Sequence, residues 1–302
     1  MGKARIFDII RSSFVDGPGI RTTVFFKGCP LRCSWCHNPE SLSSKTEMLF
    51  YINRCTKCGK CKEKCPNRLD ECNLCGKCVL YCPNDAREIC GREYTVDEVV
   101  RELIKDKAIY ENSGGGVTLS GGECLMQADF CRELLMRMKS EGIHTAVDTS
   151  GFVLRSALDR VMPYTDVFLY DLKAFDEDVH IRCTGQSNKI ILENLEYLDR
   201  SGKNIEIRIP YVPGYNDGQM EKIAEYLKHL KNISKVRVLP YHNYASSKYK
   251  ALGLPCTLPE RVPGDEEMSP GTDDEPDNGN DEEEEPDDNH SFGNWWDQIF
   301  NP

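Results

Sequence analysis

Eleven cysteines fall before residue 83, and their spacing constrains this chain more than any other feature. Cys29, Cys33 and Cys36 stand in C-x3-C-x2-C spacing within GCPLRCSWCHNPES. Cys55, Cys58, Cys61 and Cys65 follow as C-x2-C-x2-C-x3-C with Pro66 behind them. Cys72, Cys75, Cys78 and Cys82 repeat that run, with Pro83 behind. The opening residues, MGKARIFDIIRSSF, lack the apolar core and small-residue cleavage site of an export signal. No apolar run approaches the length of a bilayer span. The expectation is a cytoplasmic protein in a reducing setting, where disulfides are rare and clustered thiolates serve metals.

The doubled run is the bacterial two-cluster ferredoxin pattern, in which the fourth cysteine of each run ligates the other cluster. That assigns Cys55, Cys58, Cys61 and Cys82 to one 4Fe–4S cluster. Cys72, Cys75, Cys78 and Cys65 take the other. A zinc module is the alternative. In the first set, three thiolates fit one face of a cubane and leave its fourth iron without a protein ligand, whereas structural zinc wants four closed ligands. His37 could supply a fourth, but it adjoins Cys36 too closely for both to chelate easily. Cys90, Cys124, Cys131, Cys183 and Cys256 show no ligand spacing and read as plain thiols, with Cys90 a spare ligand.

Beyond the cysteines the pattern alternates strands and helices. RTTVFF (21–26) is β-branched and aromatic and reads as a strand ending at Gly28. Thr95 and Glu98 form a capping box ahead of Val96, Val99, Val100, Leu103 and Ile104, which share one helical face. VTLSGGE (117–123) reads as a strand entering a glycine turn, and 125–141 as a helix closed by Gly142. Three more units follow: HTAVDT with a helix near 155–162, VFLYDLK with 189–201, and NIEIRIP with 217–231. The last strand, KVRVLPYH, has no clear closing helix. Six such units predict a parallel sheet covered by helices. The fold class is α/β, an open six-stranded (βα) barrel formed by residues 1–51 and 92–259. A compact ferredoxin-like insert, 52–91, interrupts it. Chemistry in such barrels sits at the C-terminal strand ends, and polar residues recur there: Gly121, Gly122 and Glu123; Asp148; Asp171 and Lys173; His242.

The formal charge of −11 is unevenly spread. Residues 260–302 hold 16 of the 49 acidic side chains and one basic one, Arg261, leaving the body close to neutral. No basic run suggests nucleic acid. The acidic stretch is rich in Pro, Gly and Asn, cannot bury enough apolar area to fold alone, and is expected to be disordered. It ends in FGNWWDQIF, with Phe292, Trp295 or Trp296, and Ile299 at helical spacing. Lys57, Lys60, Lys62, Lys64 and Lys77 crowd the insert. They form either a solvated face balancing thiolate charge or a dock for an acidic donor such as flavodoxin or ferredoxin.

In order, DGPGIRTTVFFKGCPLRCSWCHNPES, SGGGVTLSGGE, DTSG, YDLK and LPYHNY make the chain resemble the radical S-adenosylmethionine (SAM) superfamily. Within it, the chain resembles the glycyl-radical-enzyme activating enzymes, over roughly residues 5–258. The resemblance implies an oxidoreductase with three 4Fe–4S clusters, one of them binding SAM at its open iron. Reductive cleavage of SAM would give methionine and a 5′-deoxyadenosyl radical that takes hydrogen from a glycine of a partner enzyme. By the same resemblance, Gly121, Gly122 and Glu123 hold the SAM amino group, and Trp35 and His37 lie near the adenine. Asp171 and Lys173 neighbour the SAM carboxylate and ribose, and Asp148 with Asp171 could hold a monovalent cation. Arg208 and His242 look like ribose or methionine contacts. Asp16, Gly17, Pro18 and Gly19 would help receive the glycine loop, although DGPG also reads as an ordinary turn. Two rivals stand beside this reading. One is a radical SAM enzyme acting on a small molecule or another peptide. The other is a non-catalytic iron–sulfur electron carrier.

Overall fold

The computed structural model describes residues 2–69 and 71–264. The acidic stretch from 265 onward, with its aromatic end, lies outside the described residues. In chain order the strands are β1 (Lys3–Ser13), β2 (Arg21–Phe26), β3 (Glu47–Phe50), β4 (Arg87–Cys90), β5 (Arg92–Thr95), β6 (Gly116–Gly121), β7 (His144–Thr149), β8 (Val167–Asp171), β9 (Ile205–Tyr211) and β10 (Ile233–Pro240). Eight form one sheet in the order β10-β9-β8-β7-β6-β2-β1-β5, while β3 and β4 make a separate hairpin. From β2 through β10 the sheet pairs in parallel. The order never closes on itself, so the wall is that of a partial barrel.

Four strands escaped the sequence reading: β3 and β4 of the hairpin, and β1 and β5, which widen the expected six-stranded sheet to eight. β1 lies antiparallel to β2, and β5 lies antiparallel to β1. KARIFDIIRSS buries Ala4 and Ile6 but exposes most of its second half, so its alternation fades before it can be read. The last strand also gains a helix, Ser246–Leu252, where none was expected.

Alternation along the parallel strands sets two unlike faces. Outward, Val24, Phe26, Val117, Leu119, Val147, Phe168, Ile205 and Ile207 join the main core beneath the helices. The helix Val96–Leu103 carries the expected capping box, Thr95 to Glu98 and back, and buries Val96, Val99, Val100 and Leu103. Inward, Ala146, Val167 and Leu169 form a small apolar floor. Above it the inner residues turn polar: Thr118, Ser120, Asp148, Asp171, Glu206 and Arg208. A filled barrel would carry branched apolar side chains at these levels. Polar ones belong to a barrel that holds a ligand.

Candidate active site and cluster cavities

The Cys29–Cys36 loop leaves the C-terminal end of β2 and is held on three sides. Backbone bonds dock it on the helix Glu177–Thr184, with Arg32 N–H donating to Thr184 O (2.7 Å) and Ser34 N–H to Cys183 O (2.9 Å). Beside it, Gly28 O accepts from Glu123 N–H at 2.8 Å, and Phe26 O from Gly122 N–H at 2.9 Å. From the C-terminal side, Tyr249 Oη donates to Cys36 O at 3.2 Å, and Lys248 Nζ reaches Asn38 Oδ1 at 3.1 Å and Glu40 Oε1 at 2.6 Å. Sequence reasoning missed both clamps: EDVHIRCT carries too few apolar residues to announce a helix.

Burial, then the neighbouring thiols, pushes Cys29 and Cys36 up to about 12, and burial raises Cys33 as well. Thiols so placed become thiolates when a cation binds them. Among the described residues, no three His, Cys, Asp or Glu converge on the point a single metal ion would occupy.

Beneath the loop runs a row of four charges. Lys173 Nζ lies 2.7 Å from Asp171 Oδ2, and Arg208 Nη1 lies 3.4 Å from Asp148 Oδ2. Burial pulls the Lys173 ammonium down, but Asp171 and the Cys33 thiol hold it above its ordinary value. Asp148 also accepts from Ser120 Oγ at 2.6 Å. Burial outweighs Arg208 and lifts Asp148 to about 7. A carboxyl with a raised folded-state pKa adds stability below its unfolded value, and that stability is lost as pH rises through the folded one. The stability of the ligand-free protein relative to Asp148→Asn should therefore fall between about pH 4 and pH 7, the window between the ordinary value of 3.8 and about 7. Urea melts at half-unit pH steps would check this, and parallel curves would show that Asp148 does not titrate there.

The glycine turn packs directly against the cysteine loop. A Cβ on Gly122 would sit 2.3 Å from Gly28 O and 3.1 Å from Cys29 Cβ, and one on Gly121 (φ +114°) would sit 2.3 Å from Phe26 N. The side these glycines leave bare is filled by the cysteine loop itself. Glu123 is fully buried, and its two oxygens accept from Leu125 N–H, Thr149 Oγ1, Ser150 N–H and Ser150 Oγ. These donors brace the carboxylate at the foot of the cysteine loop. GGE and DTSG are one joint, tying the end of β6 to the end of β7.

His37 and His242 stack at 4.0 Å and 16°, with Tyr244 on the far side of His242 at 4.5 Å. His37 Nε2 faces His242 O at 2.8 Å and so carries the proton. Burial first, then His242, lowers His37 to about 4, leaving an uncharged ring at neutral pH. Trp35 takes no part in this stack. It is buried with Cys183, Val212 and Tyr241, edge-on to Tyr215, and anchors the loop. Two buried polar atoms here have no hydrogen-bond partner, Arg208 Nε and His242 Nδ1. Unpaired buried donors and acceptors are costly, and both fit a polar ligand lying between the loop and the charged row.

Asp16 enters the same interior from the opposite strand ends. Its carboxylate accepts from Ser13 Oγ and Thr23 Oγ1, each at 2.7 Å. Arg21, wholly buried, pins the turn by donating to Pro18 O at 3.0 Å and to Thr118 Oγ1 at 2.7 Å. Gly17, Pro18 and Gly19 thus lie at the end of β2 away from the cysteines.

Residues 52–86 lie between the two strands of the β3–β4 hairpin, which is tied to β2 by the buried Lys27 ammonium, 2.8 Å from Glu47. Their backbone repeats with the sequence: Lys57 and Leu74 both sit at φ 56°, and Gly59 (78°) matches Gly76 (75°), each pair seventeen residues apart. Two cavities open between the repeats. One, about 160 Å³, is lined by Cys55, Cys58, Cys61 and Cys82. The other, about 110 Å³, is lined by Cys65, Cys72, Cys75 and Cys78. Cys90 lines neither; it is packed with Leu49 and Ala251, which removes it as a spare ligand.

A family model described as the radical SAM superfamily matches residues 23–227, more than half of the chain. That defines the class. Among curated relatives, the trans-4-hydroxy-L-proline dehydratase activating enzyme of Clostridioides difficile is 49% identical over 261 residues, covering 81% of this chain and 86% of the relative. The benzylsuccinate synthase activating enzyme of Thauera aromatica is 42% identical, covering 82% and 81%. The choline trimethylamine-lyase activating enzyme of Oleidesulfovibrio alaskensis is 40% identical, covering 83% and 87%. The chain belongs to this family, the glycyl-radical-enzyme activating enzymes of the radical SAM superfamily. It is an enzyme, and the electron-carrier alternative falls. No helix among the described residues is long and apolar enough to cross a membrane.

Proposed function

We propose that this chain uses three 4Fe–4S clusters to install a glycyl radical on a partner enzyme, with a flavodoxin- or ferredoxin-type protein as electron donor. The observation that carries this is the three-cysteine loop set over a polar barrel interior, with Arg208 Nε and His242 Nδ1 unpaired beside it. When bound there, cluster and SAM together supply a 5′-deoxyadenosyl radical for hydrogen abstraction. The protein's part is to hold and to exclude. Cys29, Cys33 and Cys36 hold one cluster. Lys173 and Arg208, the cations of the charged row beneath the loop, suit a ligand carboxylate. The neutral His37–His242–Tyr244 stack suits a flat heteroaromatic ring. Gly121 and Gly122 offer backbone carbonyls to an ammonium, with Glu123 bracing them. Asp16 to Gly19, at the far end of β2, suits a glycine loop entering from that side.

The two insert cavities are the sites of the other clusters, with the fourth cysteine exchanged between runs. Cys78 supports that exchange: burial raises its thiol, and Arg87 opposes this, while Cys72, Cys65 and Cys75 all add to it. These sites pass electrons inward and do not bind SAM, because four cysteines leave no open iron. A Cys58→Ala/Cys75→Ala variant should keep SAM binding but lose at least tenfold in glycyl radical formation when a protein donor supplies electrons. Glycyl radical signal and deoxyadenosine yield, read with a protein donor and with dithionite, check it. Wild-type yield with the protein donor would make the insert purely structural.

A further inference from the structure

Arg87 is the one residue, among those described, that lines both insert cavities. It opens β4 directly after the second repeat and pairs with Phe50, the last residue of β3. Its guanidinium carbon lies 4.4 Å from the centre of the Phe50 ring, and its Nε is buried without a hydrogen-bond partner. Stacking of this kind fixes a guanidinium plane while leaving its charge available. It lines the first cavity beside Cys82 and Ala86, and the second beside Gly76 and Cys78.

We infer that Arg87 is a cation shared by two iron–sulfur sites, setting the reduction potentials of both. This rests on reading the two cavities as cluster sites. A cubane held by four thiolates is anionic and gains a further negative charge on reduction. A fixed positive charge in the common wall favours the reduced form of each, and does so strongly where the wall is buried. The insert lysines do not replace it: Lys57 lines the first cavity alone, the other four line neither, and all five are exposed, so their charges are screened by salt. A lone arginine placed between two symmetric runs keeps both sites reducible by one donor. Electrons can then leave either for the SAM cluster.

The test is potentiometric titration, followed by electron paramagnetic resonance, of the full chain reconstituted anaerobically, with iron and sulfide counted in each sample. Arg87→Met keeps an apolar stem against Phe50 and removes the charge, whereas Arg87→Lys keeps the charge. In Arg87→Met the reduced-to-oxidised ratio of both insert clusters at a fixed potential should fall about tenfold, about 59 mV for a one-electron couple. Arg87→Lys should restore most of that shift, and the SAM cluster should stay where it is. If neither midpoint moves, or only one does, with iron intact, the shared-cation role is overturned. If Arg87→Met loses insert iron and Arg87→Lys retains it, the charge is needed at the common wall, which supports the inference. Loss of iron in both variants overturns it, because shape rather than charge would then matter. Failure of the cluster reading is distinguishable: wild type would hold about four irons in place of about twelve.

Discussion

Cys33→Ala should remove about four of the irons from the reconstituted chain and lower SAM cleavage by at least a thousandfold. All three thiols are half-buried, and the nearby Lys173 ammonium opposes the upward push of burial on Cys33. Cys29 and Cys36 stand at about 12 in the metal-free protein, so two such thiols have little tendency to ionise around a cluster that a third no longer holds. The insert cavities lie on the β3–β4 hairpin and share no cysteine with the loop, so about eight irons should remain. That remainder is the internal control, since a general collapse of the fold would remove all of it. Cys33→Ser should behave like the alanine variant, because a hydroxyl is a poor substitute for a soft thiolate at iron. SAM cleavage within tenfold of wild type would remove the three-cysteine loop from the chemistry.

The parts of this protein that carry short-range rules were legible beforehand. Cysteine spacing, the Thr95–Glu98 capping box and the strand-to-glycine turn at 117–123 are local, and the structure places each near its sequence position. β1, β3, β4 and β5 were not legible, because strands that are short or half-exposed carry little alternation. Neither was the helix Ser246–Leu252, whose sequence, SSKYKAL, buries only Tyr249 and Ala251. At the site, residue identity was easier to read than residue task. Glu123, Trp35 and Gly122 all sit beside the cysteine loop, as their motifs suggest. What they do there depends on partners more than twenty residues away in sequence: Thr149 and Ser150 for Glu123, Cys183 for Trp35, Gly28 for Gly122. No pattern within one motif reports a contact that another strand supplies. Arg87 is the same case: as a lone arginine after a cysteine run it carries no sequence signal, and only the fold sets it between two cavities.

Gly122→Val and Gly122→Ala should both strip the SAM cluster, and the alanine variant separates two explanations for the glycine. If the glycine served to admit a ligand, a methyl group would be mild and iron content would be unchanged. The structure places the conflict elsewhere. A Cβ at Gly122 meets Gly28 O at 2.3 Å and Cys29 Cβ at 3.1 Å, and both belong to the cysteine loop. Neither obstacle is the end of a flexible side chain. Gly28 O is further fixed by the Glu123 N–H at 2.8 Å, and Gly28 N–H by Ser41 O at 2.7 Å. The first atom of any side chain therefore forces the loop away from β6, and valine's extra methyls add less than that first atom. Overpacking of this sort costs about 1–3 kcal/mol, which a protein of this size tolerates without unfolding. The expected result is a folded chain with its insert irons present, about four irons lost, and SAM affinity reduced more than tenfold in both variants. Iron and sulfide analysis beside SAM binding by equilibrium dialysis reads this directly. Full iron content in Gly122→Ala with wild-type SAM affinity would show that the loop yields to the methyl group, and the bracing role of the glycine turn would fail.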